Sequence, residues 1–283
     1  SGQPTSAKTF YRKKDGLKLP VAVTVSPILL AGKPVGAIEV FRDISLELAI
    51  DKMKSEFIAL ASHQLRTPLS TISVYSHLLK DGYAGTLSDQ QMEYVVTTIG
   101  AASRMQSLID ALLNISRLES GRLGLKPQAV AVVDVLRRLL KELQPQLQEK
   151  RLQLTFKPPV RLPSLATDCL MVQEILSNLV ANAIQYTPVE GTITITARKK
   201  GSEIIVAVAD SGIGIPADKH DMLFSPFFRA KNALEYFEGG TGLGLYMVKL
   251  LVRTLGGRIW FTSREGHGSS FFVALPLTPP EVT

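Results

Sequence analysis

Residues 178–188, Asn-Leu-Val-Ala-Asn-Ala-Ile-Gln-Tyr-Thr-Pro, decide how the chain is read. Asn178 and Asn182 are four residues apart, so on a helix they project from one face. Leu176, Leu179, Val180 and Ala183 make that helix largely apolar, and carboxamides that are half-buried need partners. Two carboxamide oxygens beside a phosphate suit Mg²⁺, which keeps several of its waters and takes only one or two protein oxygens. Two glycine clusters downstream offer the phosphate site. Asp210-Ser211-Gly212-Ile213-Gly214-Ile215 follows an apolar strand, and Gly240-Thr241-Gly242-Leu243-Gly244-Leu245 precedes a helix. Glycines let backbone N–H groups approach an anion, and a helix N-terminus favours negative charge. Taken singly, either cluster is equally well explained as a glycine turn at the end of a strand or helix. Neither carries the Gly-Lys-Ser/Thr ending of a P-loop, and residues 212–214 open no helix inside a βαβ unit, which argues against both common nucleotide fingerprints.

Outward from this stretch, hydrophobic periodicity predicts a helix over 132–149 interrupted at Pro145, a strand over 152–157 and a helix over 168–185. Strands follow at 191–199 and 203–209, then a loop-rich stretch at 211–240, a helix at 243–254 and strands at 258–264 and 269–275. This alternation predicts a two-layer α/β sandwich with a mixed sheet.

Upstream the period changes. Leu46, Ile50, Met53, Phe57 and Leu60 are spaced 4, 3, 4, 3, the seam of a coiled coil or four-helix bundle, and the helical pattern runs from residue 44 to about Lys80. After Gly82 and Gly85, Ser88 is placed to cap a second helix carrying Met92, Val95, Ile99, Ala102, Ile109, Leu113 and Ser116 on one stripe, ending near Glu119. Two long helices joined by a short loop predict an antiparallel hairpin, and a second copy of the chain most simply completes it as a dimeric four-helix bundle. Pro68 removes the N–H that would bond to the Gln64 carbonyl, which predicts a bend one turn after His63. Ahead of the hairpin, three short strands are predicted at 9–12, 19–26 and 35–42, with Val21, Val23 and Val25 alternating. The expected domains are 1–43, 44–123 and 124–283.

The chain has 283 residues, 45% apolar and 20% charged, a globular composition. No apolar run reaches the roughly 18 residues of a membrane-spanning helix, so no span is expected within this stretch; what lies beyond it stays open. Cys169 is the one cysteine, which excludes an internal disulfide and a Cys-rich zinc site and fits a reducing, cytoplasmic setting. The net charge of +7 comes from Lys and Arg scattered through all segments, without the stripe or aromatic interleaving of a nucleic-acid surface, so no nucleic-acid partner is expected.

The segments 178–188 (NLVANAIQYTP), 210–215 (DSGIGI), 224–229 (FSPFFR) and 240–245 (GTGLGL) resemble the N, first-glycine, phenylalanine and second-glycine boxes of sensor histidine kinases. Ser62-His63-Gln64-Leu65-Arg66-Thr67-Pro68-Leu69 resembles the phosphoacceptor box of the same family. The resemblance covers roughly 44–277 and implies an ATP-binding domain of the type shared with DNA gyrase. Asp210 would then accept from the adenine amino group and Asn182 would ligate Mg²⁺, with Asn178, Gln185 and Tyr186 near the phosphates. Gly212, Gly214 and Ile215 would also belong to the nucleotide site. Gly240, Thr241, Gly242, Leu243, Gly244 and Leu245 would wrap the phosphates. The segment from Pro216 to Gly239 would be a lid, with Phe227 and Phe228 anchoring it and Arg229 near the γ-phosphate. Relatives that hydrolyse ATP carry a general-base Glu four residues before the metal Asn; that position is Asn178, so hydrolysis is not the expected main activity.

His63 would be the nucleophile, its neutral imidazole attacking the γ-phosphate, while Thr67 would orient water for removing phosphate from a response regulator's aspartate. The implied partners are a second copy of the chain and a response-regulator receiver domain. Gln64 departs from the family, where a carboxylate is frequent: its amide oxygen accepts a hydrogen bond but cannot take a proton, a loss worth on the order of 10²–10⁴ in rate. Gln185 departs too, at a position where Lys is common. The first 43 residues resemble the last three strands of a PAS domain.

Overall fold

The computed structural model describes residues 5–120, 125–159, 161–237 and 239–278. The expected boundary between 123 and 124 lies outside them. The structure falls into two compact units, Ser1–Ala61 and Ser62–Thr283.

In the first unit, β1 (Thr5–Arg12), β2 (Lys18–Leu30) and β3 (Lys33–Asp43) form an antiparallel meander in that order. The three expected strands are present, each longer than the alternation indicated. Val21 and Val23 are buried but Val25 is exposed, so the covered face ends after two alternations. The Ile44 N–H donates to the Pro20 carbonyl at 3.1 Å and hands the sheet on to helix α1 (Ser45–Lys80).

Helix α1 belongs to both units, and its helical backbone continues through Pro68. In the second unit its C-terminal part pairs with α2 (Asp89–Glu119). Ser88 caps α2 as expected: its hydroxyl accepts from the Gln91 N–H, and the Gln91 side chain accepts from the Ser88 N–H at 2.9 Å. Leu69, Ala102 and Ile109, with Leu113, form the small core of the hairpin, and Arg66 reaches across it to Asp110 at 2.6 Å.

The remaining elements build the two-layer domain. The expected interrupted helix is two helices, α3 (Val132–Glu142) and α4 (Gln144–Glu149), with Pro145 in the first turn of α4, where its missing N–H costs nothing. Then come β5 (Gln153–Lys157), β6 (Leu165–Thr167), α5 (Cys169–Tyr186), β7 (Thr192–Lys200) and β8 (Glu203–Asp210). A 3₁₀ turn (Ala217–Met222), α6 (Lys231–Tyr236), α7 (Gly244–Thr254), β9 (Arg258–Arg264) and β10 (Gly268–Pro276) complete the chain. The sheet runs β5-β7-β8-β10-β9, parallel only between β5 and β7, so it is mixed as expected. One face carries α3, α5 and α7, and Leu136, Val172, Ile175, Leu176, Ile193, Ile195 and Val248 are almost wholly buried between the layers. Sequence periodicity did not predict the two-stranded ribbon of β4 (Gln128–Val130) with β6, nor α6; each is too short to show a period.

Candidate functional site

Three elements converge on one cavity of about 520 Å³. The first is α5. Asp168 caps it, accepting from Leu170 N–H at 3.0 Å and Met171 N–H at 3.2 Å, and also accepts from Lys126 N–H at 3.1 Å. At its other end, Lys150 Nζ donates to the carbonyls of Ile184, Gln185 and Thr187 at 3.0, 2.8 and 3.2 Å. A cation at a helix C-terminus satisfies orphaned carbonyls and opposes the helix dipole. So held, α5 presents Asn178, Asn182, Gln185 and Tyr186 to the cavity, the first two being the pair that lies four residues apart on one helix face. Asn178 Nδ2 donates to the Glu174 carbonyl and side chain at 2.9 and 3.1 Å.

The second element is the turn after β8. Asp210 lines the cavity, and one of its oxygens, Oδ1, accepts from the N–H groups of Gly212 at 2.8 Å and Ser269 at 3.1 Å. Burial pushes its pKa up, and these two N–H groups oppose that rise. Gly214 and Ile215 line the cavity with it; Gly212 supports Asp210 from behind and is not part of the lining.

The third element is the second glycine cluster. Gly240, Thr241, Gly242, Gly244 and Leu245 line the cavity, and α7 starts at Gly244, so its N-terminus opens beside them. Gly242 has φ +69°, and a Cβ there would lie 2.7 Å from the Phe227 carbonyl carbon. A Cβ at Gly244 would come 2.8 Å from Asn178 Oδ1, so the glycine lets α7 start against the carboxamide of α5. Leu243 is not in the lining: its side chain is buried in the core.

Between the glycine clusters, Phe227 is 62% exposed, which does not fit the anchoring role expected of it. Its backbone meets Gly242 instead, and Phe224 does the anchoring, edge-on to Phe261 at 5.8 Å. Phe228 and Arg229 line the cavity. The Arg229 guanidinium donates to the carbonyls of Phe237, of Ala233 at 3.1 Å and of Gly240 at 3.4 Å. The expected lid, 216–239, includes Glu238, which lies outside the described residues. Sequence reasoning missed Asn232 of α6, Ser269 and Phe271 of β10 and Ser107 of α2, all in the lining. No periodic signal marks them; strand pairing and helix packing bring them in.

His63, Gln64 and Thr67 form a separate exposed group on α1, while neighbouring Ser62 and Leu69 are buried. Among the described residues no cluster of His, Cys, Asp and Glu could hold a metal ion. Hard carboxamide oxygens at Asn178 and Asn182, beside a helix N-terminus, nevertheless fit a hydrated Mg²⁺ that arrives with phosphates.

The sequence profile described as the His Kinase A (phospho-acceptor) domain matches residues 53–121, and that of the histidine kinase-, DNA gyrase B- and HSP90-like ATPases matches 167–279, together well over half of the chain. The chain belongs to the sensor histidine kinases. It is 32% identical over 246 residues to the alginate biosynthesis sensor protein KinB of Pseudomonas aeruginosa, covering 87% of this chain and 41% of KinB. It is 32% identical over 285 residues to the sensor protein GacS of Pseudomonas syringae pv. syringae, covering 98% of this chain and 31% of GacS. This histidine kinase chain therefore spans less than half the length of these relatives. Among solved structures it is similar to full-length ShkA in complex with AMPPNP, with a TM-score of 0.66, 26% identity and coverage of 78% of this chain and 45% of that one. Apart from Ser107 of the phospho-acceptor domain, the cavity lining belongs to the ATPase-like domain, and His63 lies in the phospho-acceptor domain. No described helix of this histidine kinase is long and apolar enough to cross a membrane.

Proposed function

We propose that the chain phosphorylates itself on His63 from Mg-ATP and passes the phosphoryl group to an aspartate of a response-regulator receiver domain. One observation carries the reading: a single chain joins an exposed imidazole in a phospho-acceptor box to a cavity with a base-reading carboxylate at one end and a helix N-terminus at the other.

In that cavity Asp210 Oδ2 accepts from the adenine amino group, since Oδ1 is occupied by two backbone N–H groups. The glycine turn 240–244 and the α7 N-terminus bind the phosphates, helped by Asn178, Gln185 and Tyr186. Asn182 is the metal ligand, and Mg²⁺, when bound, neutralises phosphate charge. A ring nitrogen of His63 attacks the γ-phosphorus, the bond to the β–γ bridging oxygen breaks, and ADP leaves with that electron pair. The proton on the other ring nitrogen goes to solvent, because the Gln64 oxygen orients the ring by accepting a hydrogen bond and cannot take the proton. Transfer to the regulator's aspartate reverses the roles, with phosphohistidine as donor. Thr67 positions water for removing phosphate from that aspartate.

The exposed seam on α1 supports a homodimer through the hairpin, within domains 1–43, 44–123 and 124–283 of a protein acting in the cytoplasm. The N-terminal meander is the remnant of a PAS domain that orders the start of α1. Gln64 favours a second reading, a regulator phosphatase or nucleotide-binding scaffold with weak autokinase activity. Incubation with γ-labelled ATP separates the two. Acid-labile label that disappears in His63→Ala supports the kinase; nucleotide binding with no label supports the second reading. Gln64→Glu is expected to speed label formation, and an unchanged rate rejects the role given to Gln64.

A further inference from the structure

The cavity wall contributed by α6 holds a polar group that the scheme above leaves unused. Asn232 Nδ2 donates to the Gly214 carbonyl at 3.0 Å. That carbonyl can only accept, so it fixes the orientation of the amide and turns Oδ1 away from itself. Oδ1 is buried and has no hydrogen-bond partner among the described residues, although Asn232 lines the cavity. A buried acceptor without a donor costs free energy, so a donor on the bound molecule is the natural complement.

Phosphate oxygens are acceptors and would repel Oδ1, which leaves the base and ribose of a nucleotide as sources of a donor. The neighbours decide between them. Asn232 is tied to Gly214 and Asp210 to Gly212, two residues apart on the same turn, so both acceptors flank one end of the cavity. An adenine amino group has two N–H bonds, and two acceptors are available for it. We infer that Asn232 Oδ1 accepts the second N–H of the adenine 6-amino group, making it a specificity-determining residue that reads the base from the α6 side. This rests on the ATP-site reading above. A purine bearing a 6-carbonyl would set its oxygen against two acceptors and be excluded.

The test is a cycle of ligands against variants in the full chain, measured by calorimetry. ATP, the 6-deamino purine nucleoside triphosphate and 2′-deoxy-ATP are each bound to the wild type, Asn232→Ala and Asn232→Asp. In the wild type, loss of the amino group removes both contacts. In Asn232→Ala only the Asp210 contact remains to be lost, so the deamino penalty is expected to shrink by about 3- to 10-fold while the 2′-deoxy penalty stays the same. Asn232→Asp keeps an acceptor and is expected to retain more of the deamino penalty than Ala. A deamino penalty equal in wild type and Asn232→Ala overturns the inference, as does a change confined to the 2′-deoxy penalty, which would place Oδ1 on the ribose. Failure of the wild type to bind ATP at all overturns the ATP-site reading itself, an outcome distinct from either.

Discussion

The α/β domain and the start of α1 use equally regular apolar patterns and end in opposite states. In the domain, Ile175, Ile193, Ile195 and Val248 are fully buried within one chain. On α1, Leu46, Ile50, Met53, Phe57 and Leu60 are each at least 51% exposed, although their 4-3-4-3 spacing is as strict as anything in the sequence. Periodicity shows which face must be covered and is silent on what covers it. A domain that folds its sheet onto its own helices supplies both partners; a hairpin supplies two of the four helices a bundle needs.

The comparison breaks most sharply if the α1 seam is charged. Phe57→Glu with Leu60→Glu removes two apolar side chains from each copy, at about 1.5–3 kcal/mol per buried side chain, and puts like charges across a two-fold axis. If the wild type pairs through this seam as proposed, sedimentation is expected to show the variant as monomer, with association weakened by at least about 1,000-fold. ATP affinity of the same variant should be unchanged, because the cavity is complete within one chain. A dimer that survives both charges would place the interface elsewhere.

Asp210→Asn tests the self-contained side. Two N–H groups pin Oδ1, so the new Nδ2 must take the Oδ2 position and point a donor at the adenine amino donor. Affinity for ATP should fall by about 10- to 100-fold, as for a lost charged hydrogen bond. Stability should move the other way. A carboxyl whose folded pKa is raised by burial binds its proton more tightly when folded, so its stabilising contribution is present in acid, below the unfolded value, and is lost as pH rises through the raised folded value. At neutral pH the buried charge is a cost, and the neutral amide removes it. Thermal unfolding of Asp210→Asn is therefore expected at or above the wild-type midpoint. For the wild type, acidification through the raised pKa should weaken ATP binding, because the amino group prefers the carboxylate.

Much of this site was legible because it is written in local patterns. The Asn178–Asn182 pair needs only helical spacing, the two glycine clusters need only their own backbones, and Ser88 needs only Gln91 three residues on. What was not legible comes from pairings between distant segments. Ser269 reaches Asp210 because β10 pairs with β8 in the register Ser269 to Asp210, and Asn232 reaches Gly214 across 18 residues from a six-residue helix with no readable period. The α2 helix shows the limit most clearly. Its first stripe, Ala102, Ile109 and Leu113, was readable as the face toward α1. A second stripe, Leu108, Ala111, Ile115 and Leu118, packs on the core of the α/β domain and was hidden, because two apolar faces on one helix blur a single period.

A smaller effect is expected where α5 is held at its end. Lys150 carries three carbonyls on one ammonium, and burial pulls its pKa below the ordinary lysine value. Lys150→Met keeps the stem and leaves those carbonyls to water, at about 1–3 kcal/mol in chemical unfolding. Because Gln185 and Tyr186 sit in that last turn, ATP affinity should weaken with it; full affinity at reduced stability would show that the end of α5 is not part of the binding surface.

The smallest effect falls where the α/β domain meets α2. Tyr246, directly after the second glycine cluster, donates its phenol to Glu119 Oε1 at 2.5 Å, joining α7 to the last turn of α2. The hydrogen bond to Glu119 comes first among the causes that push the phenol's pKa up to about 12, followed by burial. A raised folded value means the contribution is whole below the ordinary tyrosine range near 10 and is lost as pH climbs toward 12. The pair is partly exposed, so Tyr246→Phe should cost only about 0.5–1 kcal/mol. Its value lies in what it separates: the second α2 stripe stays intact while this polar tie is cut. If phosphorylation of His63 requires the α/β domain to leave α2, Tyr246→Phe should label faster with ATP affinity unchanged. If the domain works from where it is docked, the same variant should label more slowly, and the sign of the change distinguishes the two.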